Sequence, residues 1–235
     1  MDDHMWPLYG LRLTTPRLEL RLPDLTELAD LAGVAADGVH AEGTMPFTVP
    51  WSAAPPAVRG RATFQHVLGT VANWRRDAWA LSLAVWCEGV VVGRQDITAN
   101  DFAVTREVET GSWLGLAHHG RGIGTEMRAA ALHLAFAGLG ARGARSAAMR
   151  DNAGSLRVSE KLGYRADGGE TVAVRGEAVT LRRLYLDRAA WEAHRAVPVE
   201  VEGLEGCRGM FGGEGWILPQ DPARPAFEDK ARSAG

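Results

Sequence analysis

Three glycines at alternate positions, Gly120, Gly122 and Gly124, stand where the sequence changes from a strand-like to a helix-like pattern. Alternation over 107–116 predicts the strand, and residues 125–137 predict the helix. The first amides of a helix have no intrahelical partner, and the helix dipole is positive at that end. Because glycine lets a ligand approach the backbone closely, this turn is predicted to bind a phosphate or pyrophosphate. The alternative is a tight turn without a ligand.

The glycine spacing distinguishes between known kinds of phosphate loop. A P-loop has a Lys before its Ser or Thr, but Thr125 directly follows Gly124 here. A dinucleotide fingerprint has a third glycine at the position of Met127. The segment instead resembles motif A of the GNAT N-acetyltransferase superfamily, whose loop binds the pyrophosphate of coenzyme A. Gly122 and Gly124 match its two small positions, and His119 stands where most members have Gln or Arg.

A second block of resemblance lies downstream, after a short apolar run that predicts a strand over 144–149. Asn152 or Asp151 can cap a helix there, and Gly163 can end it. This block, residues 151–164, is similar to a segment of the ribosomal-protein N-acetyltransferases, the RimJ/RimL-type branch of the superfamily. Residues 15–21 resemble the first strand of the same branch.

The matched blocks follow the branch's order over about residues 11–187, so the resemblance implies an activity and a cofactor. The donor is expected to be acetyl-CoA or another acyl-CoA such as succinyl-CoA, and no metal is expected. Asn152 is expected to bond the pantetheine arm, and Ser155 to lie near the thioester sulfur. The expected contacts with the acyl-CoA are Trp113, Leu114, Leu116, His119, Gly120, Arg121, Gly122, Ile123, Gly124, Thr125, Asn152 and Ser155.

Acyl transfer from a thioester to an amine needs a polarised carbonyl and a base. A backbone N–H between Trp113 and Leu116 is expected to polarise the carbonyl. As the base we favour Glu109, which strand alternation places on the same face as Trp113. The alternative for Glu109 is an ordinary solvated carboxylate. The other candidates for the base are Asp96, Glu42, His40 and His118.

The departing thiolate also needs a proton, and here the sequence departs from the superfamily. Many members have a Tyr seven residues after the Asn, at the position that Ser159 occupies. Within the branch, the resemblance implies that Ser155 hydrogen-bonds the sulfur or relays a proton through water. The alternative for Ser155 is helix capping alone, and Tyr164 is expected in the core.

The loop over 39–51 lies where the resemblance implies the cover of the acceptor site. The residues expected to line that site are His40, Phe47, Trp51 and Arg75. An Arg or His could also bind a carboxylate on a dicarboxylic acyl group, and the candidates are Arg75, Arg94 and His40. The alternative is that Trp74 and Trp79 are core residues and the arginines are merely solvated. The acceptor is a primary amine of unknown identity.

Composition is that of a compact enzyme. The chain has 235 residues, of which 46% are hydrophobic and 23% charged, enough for one sizeable core. A net charge of −3 with no basic run predicts no nucleic-acid partner. Cys87 and Cys207 have no metal or redox spacing, and no signal peptide is recognised, so a cytoplasmic location is expected. The longest charge-free apolar stretch, 129–141, is too short to span a bilayer.

The predicted elements follow the order β-α-α-β-β-β-α-β-α-β-β. This order is that of the α/β (α+β) acetyltransferase fold, a mixed, mostly antiparallel sheet flanked by helices and opened at the coenzyme A cleft. Predicted elements include helices near 24–36, 57–76 and 191–195, hairpins turning at 88–89 and 175–178, and a strand near 197–201. The predicted division is 1–190 for the acyltransferase domain, 191–212 for a helix and strand extension, and 213–235 for a Gly/Pro-rich tail, flexible or packed.

The sequence is compatible with three functions, of which one is favoured. The favoured one is an acyl-CoA-dependent N-acyltransferase in which an amine of a protein, peptide or small molecule attacks directly in a ternary complex. The second is a non-catalytic acyl-CoA-binding sensor, which the departures at His119 and Ser159 suggest. The third is an interaction module whose glycine turn binds nothing. A homo-oligomer is expected, because the added strand and the tail could exchange between subunits.

Overall fold

The computed structural model describes residues 5–212, so the predicted tail over 213–235 lies outside the described residues. The strands are β1 (Arg12–Thr14), β2 (Leu18–Arg21), β3 (Ala78–Cys87), β4 (Val90–Asn100), β5 (Glu107–Leu114), β6 (Gly143–Met149), β7 (Arg165–Val174), β8 (Glu177–Asp187) and β9 (Glu200–Glu202). The helices are α1 (Leu25–Asp37), α2 (Pro56–Ala72), α3 (Phe102–Thr105), α4 (Ile123–His133), α5 (Ala153–Lys161), α6 (Arg188–His194) and α7 (Leu204–Cys207).

The nine described strands form one sheet in the order β7-β8-β6-β5-β4-β3-β2-β1-β9. Neighbouring strands are antiparallel except β5 and β6, which are parallel. That parallel pair is joined only from Glu107 to Glu109 on β5 and from Gly143 to Arg145 on β6. Both strands continue beyond these residues, so the sheet opens into a gap, here called the wedge. The predicted fold class is confirmed.

Side chains alternate across the sheet and form two packed faces. On one face, called the α1/α2 face, the two helices cover a cluster that includes Leu31, Trp86 and Trp113. On the other face, α4 packs on a larger core that includes Ile97 and Met127. The wedge therefore lies between two layers that differ in what covers them.

Local sequence signals account for several element ends. The α1 helix begins with a capping box, in which Asp24 accepts from the Glu27 N–H and Glu27 accepts from the Asp24 N–H. The predicted turn of the first hairpin is confirmed, since Glu88 has a φ of 53° and Gly89 a φ of 78°. Left-handed φ values at both central residues match the twist of the flanking strands.

Other boundaries differ from the predicted ones, for physical reasons. The helix predicted to reach Arg76 ends at Ala72, where the Asn73 side chain donates to the Gly69 carbonyl at 2.8 Å. The helix predicted over 125–137 begins at Ile123 and continues after His133 as a π-helical turn. Strand β7 is longer than predicted, because pairing with β8 outweighs the weak strand propensity of its glycines.

Residues 191–212, predicted as an extension, pack into the main core. Strand β9 pairs with β1, which agrees with the predicted added strand. The Phe211 side chain is buried, and its ring centroid lies 4.9 Å from that of Trp79. Trp74 donates through its indole N–H to the Met210 carbonyl. Trp74 and Trp79 are thus core residues, as predicted by the alternative to a role beside the acceptor site.

Candidate functional site

The glycine loop has the geometry of an anion cradle. Gly120 and Gly122 have φ values of 76° and 78°, in the left-handed region that favours glycine. Gly122 is the N-cap of α4, and its carbonyl accepts from the Thr125 N–H at 3.1 Å. The N–H groups of Ile123 and Gly124, at the first two helical positions, have no intrahelical acceptor. They can donate to a phosphate at the positive end of the helix.

The cradle is anchored by Glu126, in the first turn of α4. One oxygen of its carboxylate accepts from Thr15 Oγ1 at 2.7 Å and from the Arg17 N–H at 3.1 Å. The other oxygen accepts from Arg17 Nε at 2.7 Å. Arg17 also donates to the Arg121 carbonyl at 3.1 Å, within the glycine loop. Arg17 and Glu126 were missed in the sequence, where a Glu in a first helical turn is unremarkable.

We expect Glu126→Ala to lower stability by about 2–3 kcal/mol, because it removes a buried carboxylate that accepts from the Thr15 hydroxyl and pairs with the half-exposed Arg17. For a chain of this size, that corresponds to a fall in melting temperature of roughly 5–10 °C. The matched control is Glu205→Ala, which removes an exposed partner of Arg208 and should leave the melting temperature unchanged. Equal melting temperatures for the two variants would contradict the anchoring role.

Strand β5 forms one wall of the wedge. The Gly115 N–H donates to the Val92 carbonyl on the β4 side, and backbone groups alternate in direction along a strand. The N–H groups of Ser112 and Leu114 therefore point away from β4, into the wedge. The Leu116 N–H is already used, since it donates to the Gly38 carbonyl at 2.9 Å. Within the expected 113–116 region, Leu114 therefore has its N–H directed into the wedge, and Ser112, just before that region, offers a second such donor.

His119 braces the loop against this wall. Its Nε2 atom lies 3.1 Å from the Leu114 carbonyl oxygen, although the residue is otherwise exposed. Arg121 and Gly120 are exposed at the mouth, and the Ile123 side chain is buried. Ile123 can therefore contact a ligand only through its backbone.

Helix α5 forms the other wall and positions the second predicted block. The Asn152 side-chain oxygen accepts from the Ser155 N–H at 3.1 Å, so Asn152 caps the helix. The side-chain amide nitrogen of Asn152 is separate from this capping oxygen, and it is the candidate for a contact with the pantetheine arm. Ser155 is partly exposed, and its carbonyl accepts from Ser159 Oγ at 3.1 Å.

A buried arginine links the two walls. Arg128 donates to Ser159 Oγ at 3.0 Å and to Ser112 Oγ at 3.1 Å. Burial lowers the pKa of the Arg128 guanidinium from its ordinary value, with a smaller opposing effect from Tyr164. Ser159, at the position where many members of the resembled superfamily have Tyr, is thus a partner of this cation. The sequence held no sign of this contact, since an Arg among helix-forming residues is most often exposed.

Tyr164 lies in the core, where its hydroxyl is 3.1 Å from Thr110 Oγ1. Burial raises the pKa of this phenol, so it stays protonated at neutral pH. We expect Tyr164→Phe to cost about 1 kcal/mol of stability through the lost hydrogen bond and to leave turnover nearly unchanged. Thermal melting and steady-state kinetics measure the two effects, and a large loss of kcat would instead make Tyr164 the acid.

The α1/α2 face carries an open groove beside the wedge. Glu109, Gly111 and Trp113 share this face of β5, as their alternation predicted. Glu109 is exposed, and a Cβ added at Gly111 would meet nothing within 4 Å. Asp96 lies directly across from Gly111 on β4. These residues, Glu109, Gly111 and Asp96, define the Gly111 groove.

The predicted acceptor loop reaches this groove. Ring centroids lie 6.2 Å apart for His40 and Phe47, 5.2 Å for Phe47 and Trp51, and 5.9 Å for Trp51 and Trp113. His40 is bonded to Ser52 Oγ at 2.9 Å. Across the wedge, Met45 packs on a cluster of β6, β7 and β8 residues. The loop therefore contacts both sides of the wedge.

Arg75 is not brought to this groove. It is exposed, pairs with Asp77 at 3.0 Å, and precedes the first residue of β3. That end of β3 pairs with Asn100, the end of β4 farthest from the cradle. Among the other candidates for the base, Glu42 is exposed on the loop and His118 is partly exposed beside Gly115.

Comparison with known proteins agrees with this geometry. A family model described as "Acetyltransferase (GNAT) domain" matches residues 17–165, more than half of the chain.

The chain belongs to the GNAT acetyltransferase family.

Solved structures similar to this GNAT protein share its fold. Mycobacterium smegmatis RimJ in complex with CoA-disulfide is 20% identical, with a TM-score of 0.65, over 87% of this chain and 95% of that one. RimL, a ribosomal L7/L12 alpha-N-protein acetyltransferase in complex with coenzyme A, is 18% identical, with a TM-score of 0.58, over 75% and 97%. A GNAT-family acetyltransferase from Bacillus anthracis is 16% identical, with a TM-score of 0.58, over 75% and 98%.

Family membership makes coenzyme A binding and N-acetyl transfer the class of function of this GNAT protein. Within residues 5–212, no group of His, Cys, Asp and Glu side chains could hold a metal ion. Among the same residues, no helix is both long enough and apolar enough to cross a membrane.

Proposed function

We propose that this protein transfers the acetyl group of acetyl-CoA to a primary amine of a protein, a peptide or a small molecule. The observation that carries the proposal is the wedge between β5 and β6 with the glycine cradle at its mouth. Gly124 lies in the narrow passage, because a Cβ added there would lie 3.8 Å from Leu114 Cδ1 and 3.7 Å from Val158 Cγ2. An extended arm can lie between these walls while its pyrophosphate rests on the cradle.

Each part of the wedge has a proposed role in holding the donor. The N–H groups of Ile123 and Gly124 bind the pyrophosphate, and the Asn152 amide bonds the pantetheine arm. Along β5, Leu114 is nearer the cradle and Ser112 is deeper in the wedge. We therefore assign Leu114 to the arm and the Ser112 N–H to the thioester oxygen, which becomes more negative during attack.

Glu109 is the proposed base. Acetyl-CoA supplies an activated carbonyl, so the amine needs only to lose a proton as its nitrogen bonds the carbonyl carbon and the carbon–sulfur bond breaks. Glu109 precedes Ser112 by three residues, or about 10 Å along a strand. The proton therefore passes to Glu109 through water in the Gly111 groove.

The wedge walls also favour departure of the thiolate. Ser155 is proposed to hydrogen-bond the sulfur or relay a proton to it through water. The buried Arg128, bonded to Ser112 and Ser159, adds a positive charge to the same wall. A nearby cation stabilises a thiolate relative to the thiol.

The first experiment is calorimetric and thermal titration of the full chain with acetyl-CoA, succinyl-CoA and pantetheine. At about 100 times its dissociation constant, a ligand adds roughly 2.7 kcal/mol of stability, here about 5–10 °C. We expect this shift with the CoA compounds and none with pantetheine, which lacks the pyrophosphate. The absence of any CoA effect would overturn the proposal.

The second experiment separates an enzyme from an acyl-CoA sensor, the alternative that the Ser at position 159 suggests. Release of free thiol from acetyl-CoA is followed with a panel of peptide N-termini, lysine side chains, polyamines and amino acids. Thiol release that depends on one class of amine identifies the acceptor. Tight acetyl-CoA binding with no release across the panel would favour the sensor.

A further inference from the structure

Several buried polar groups on the α1/α2 face lack hydrogen-bond partners in the described part of the chain. They are Trp113 Nε1, Arg94 Nε, Ser82 Oγ, Thr63 Oγ1 and Asp96 Oδ1. Trp113 is 5% exposed, Thr63 2% and Ser82 1%, so bulk water does not reach their side chains freely. An unpaired buried donor or acceptor costs free energy, and folded proteins leave few of them. A cluster of such groups in one place calls for an explanation.

The two residues that carry the N–H donors of this cluster lie side by side. Arg94 and Trp113 are directly opposed residues on β4 and β5, and Arg94 Cζ lies 6.0 Å from the centroid of the Trp113 ring. Asp96 accepts from Arg94 Nη2 at 2.8 Å, which fixes the guanidinium and leaves its Nε–H unused. The indole N–H of Trp113 is held by packing against Trp51. Both donors are therefore fixed before any ligand arrives.

The cluster can be reached from the acyl-transfer site. The Arg94 and Asp96 side chains are 11% and 16% exposed, so the cluster is recessed but open. Asp96 faces Gly111, above which an added Cβ meets nothing within 4 Å. Trp113 directly follows Ser112, the proposed donor to the thioester oxygen. A group in this cluster would thus lie beside the acyl chain and the acceptor.

We propose that Arg94 and Trp113 form a subsite for a carboxylate, with Ser82, which lies opposite Asp96, as a further hydroxyl donor. Two N–H groups on neighbouring residues can donate to the oxygens of one carboxylate, and an Arg is suited to a carboxylate. Because Asp96 already neutralises Arg94, recognition comes from positioned hydrogen bonds more than from net charge. This inference rests on the proposed acyl transfer. The carboxylate comes from the acyl chain of a dicarboxylic acyl-CoA or from an acceptor that is itself an amino acid.

His66 on α2 interacts electrostatically with both Arg94 and Asp96, and partial desolvation and the Arg94 guanidinium lower the pKa of its imidazole, against a smaller opposing effect of Asp96. It is therefore mostly neutral at pH 7. The subsite should distinguish a carboxylate from chloride or phosphate by geometry.

Two calorimetric arms test the subsite and distinguish the two sources. In the first, succinyl-CoA is compared with butyryl-CoA, which has a methyl group in place of the carboxylate. In the second, ω-amino acids of increasing length are compared with their amides, each titrated into protein saturated with coenzyme A. A preference of at least tenfold for the carboxylate in one arm is expected, and the arm that shows it names the source.

Variants tie that preference to the named groups. Trp113→Phe removes one N–H and keeps an aromatic ring, whereas Arg94→Met removes the guanidinium. Each should reduce the carboxylate preference at least tenfold. Arg142→Met, at an exposed arginine of the turn before β6, is the matched control and should keep it. If Arg94→Met fails to fold, Trp113→Phe still decides, and the indole ¹⁵N–H resonance that it removes should shift on carboxylate binding in the wild type.

Each outcome has one meaning. A preference that both variants reduce supports the subsite. Normal coenzyme A binding with no preference in either arm overturns it and assigns water to these donors. A preference that neither variant changes overturns it as well, because the carboxylate is then bound elsewhere. If coenzyme A itself does not bind, the proposed transferase function fails first.

Discussion

Gly122→Val is expected to weaken coenzyme A binding by about 100-fold or more. A β-branched residue is strained at a φ of 78°, so the loop must shift. The Ile123 and Gly124 N–H groups are then no longer directed at the pyrophosphate. Each charge-assisted hydrogen bond contributes about 1.5–3 kcal/mol, and a loss of 2.8 kcal/mol already corresponds to a factor of about 100. Isothermal titration with coenzyme A measures the effect directly.

A matched control separates lost binding from backbone strain. Gly176, in the β7–β8 turn, has a φ of 83°, and a Cβ added there would meet nothing within 4 Å. Gly176→Val should therefore lower the melting temperature in the same way as Gly122→Val and keep its affinity for coenzyme A. Binding by Gly122→Val within threefold of the wild type would show that the cradle does not hold the pyrophosphate.

Glu109→Gln should lower kcat by about 100-fold or more, since general base catalysis typically contributes a factor of 10² to 10⁴. The amide keeps the size of the side chain but cannot take a proton. Coenzyme A affinity should not change, because Glu109 lies on the α1/α2 face and away from the cradle. Stopped assays of thiol release at saturating acetyl-CoA give kcat, and titration gives the affinity.

The loss of kcat in Glu109→Gln should also depend on pH. As the pH rises, a growing fraction of the free amine is already deprotonated and needs no base. The deficit of Glu109→Gln should therefore shrink as the pH rises toward the pKa of the amine. Glu177→Gln, at an exposed position of the second hairpin, is the control with no deficit at any pH. A constant deficit would instead indicate a positioning role, and Asp96 would be the next base to test.

The main features of the fold could be predicted from local patterns. Alternation over 107–116, the turn at Glu88 and Gly89, and the cap at Asn152 depend on neighbours within a few residues. The structure contains all three, although the strand ends at Leu114. The residues at which helices and strands begin and end were less predictable. Helix α2 stops at Ala72 because of an Asn side chain, and β7 extends because of its partner strand.

The candidate site also has one part that could be predicted from local sequence and another that could not. The glycine cradle could be recognised because its spacing and its helix start are consecutive in the chain. The anchor between Arg17 and Glu126 could not, since 109 residues separate them and neither is unusual in its own segment. Arg128 belongs to the same class, because only the approach of β5 and α5 gives a buried guanidinium two hydroxyl partners.

Arg75 and Arg94 show most clearly where the sequence stops being informative. Both are arginines next to a strand or within one, and the sequence offers either of them as a carboxylate partner. Strand register decides between them: it places Arg94 opposite Trp113, beside the wedge, and leaves Arg75 in a turn at the far end of β3. The sequence alone determined the glycine turn at a helix start and most of the order of elements, because those depend on nearby residues. Only tertiary pairing decided which distant side chains share the groove.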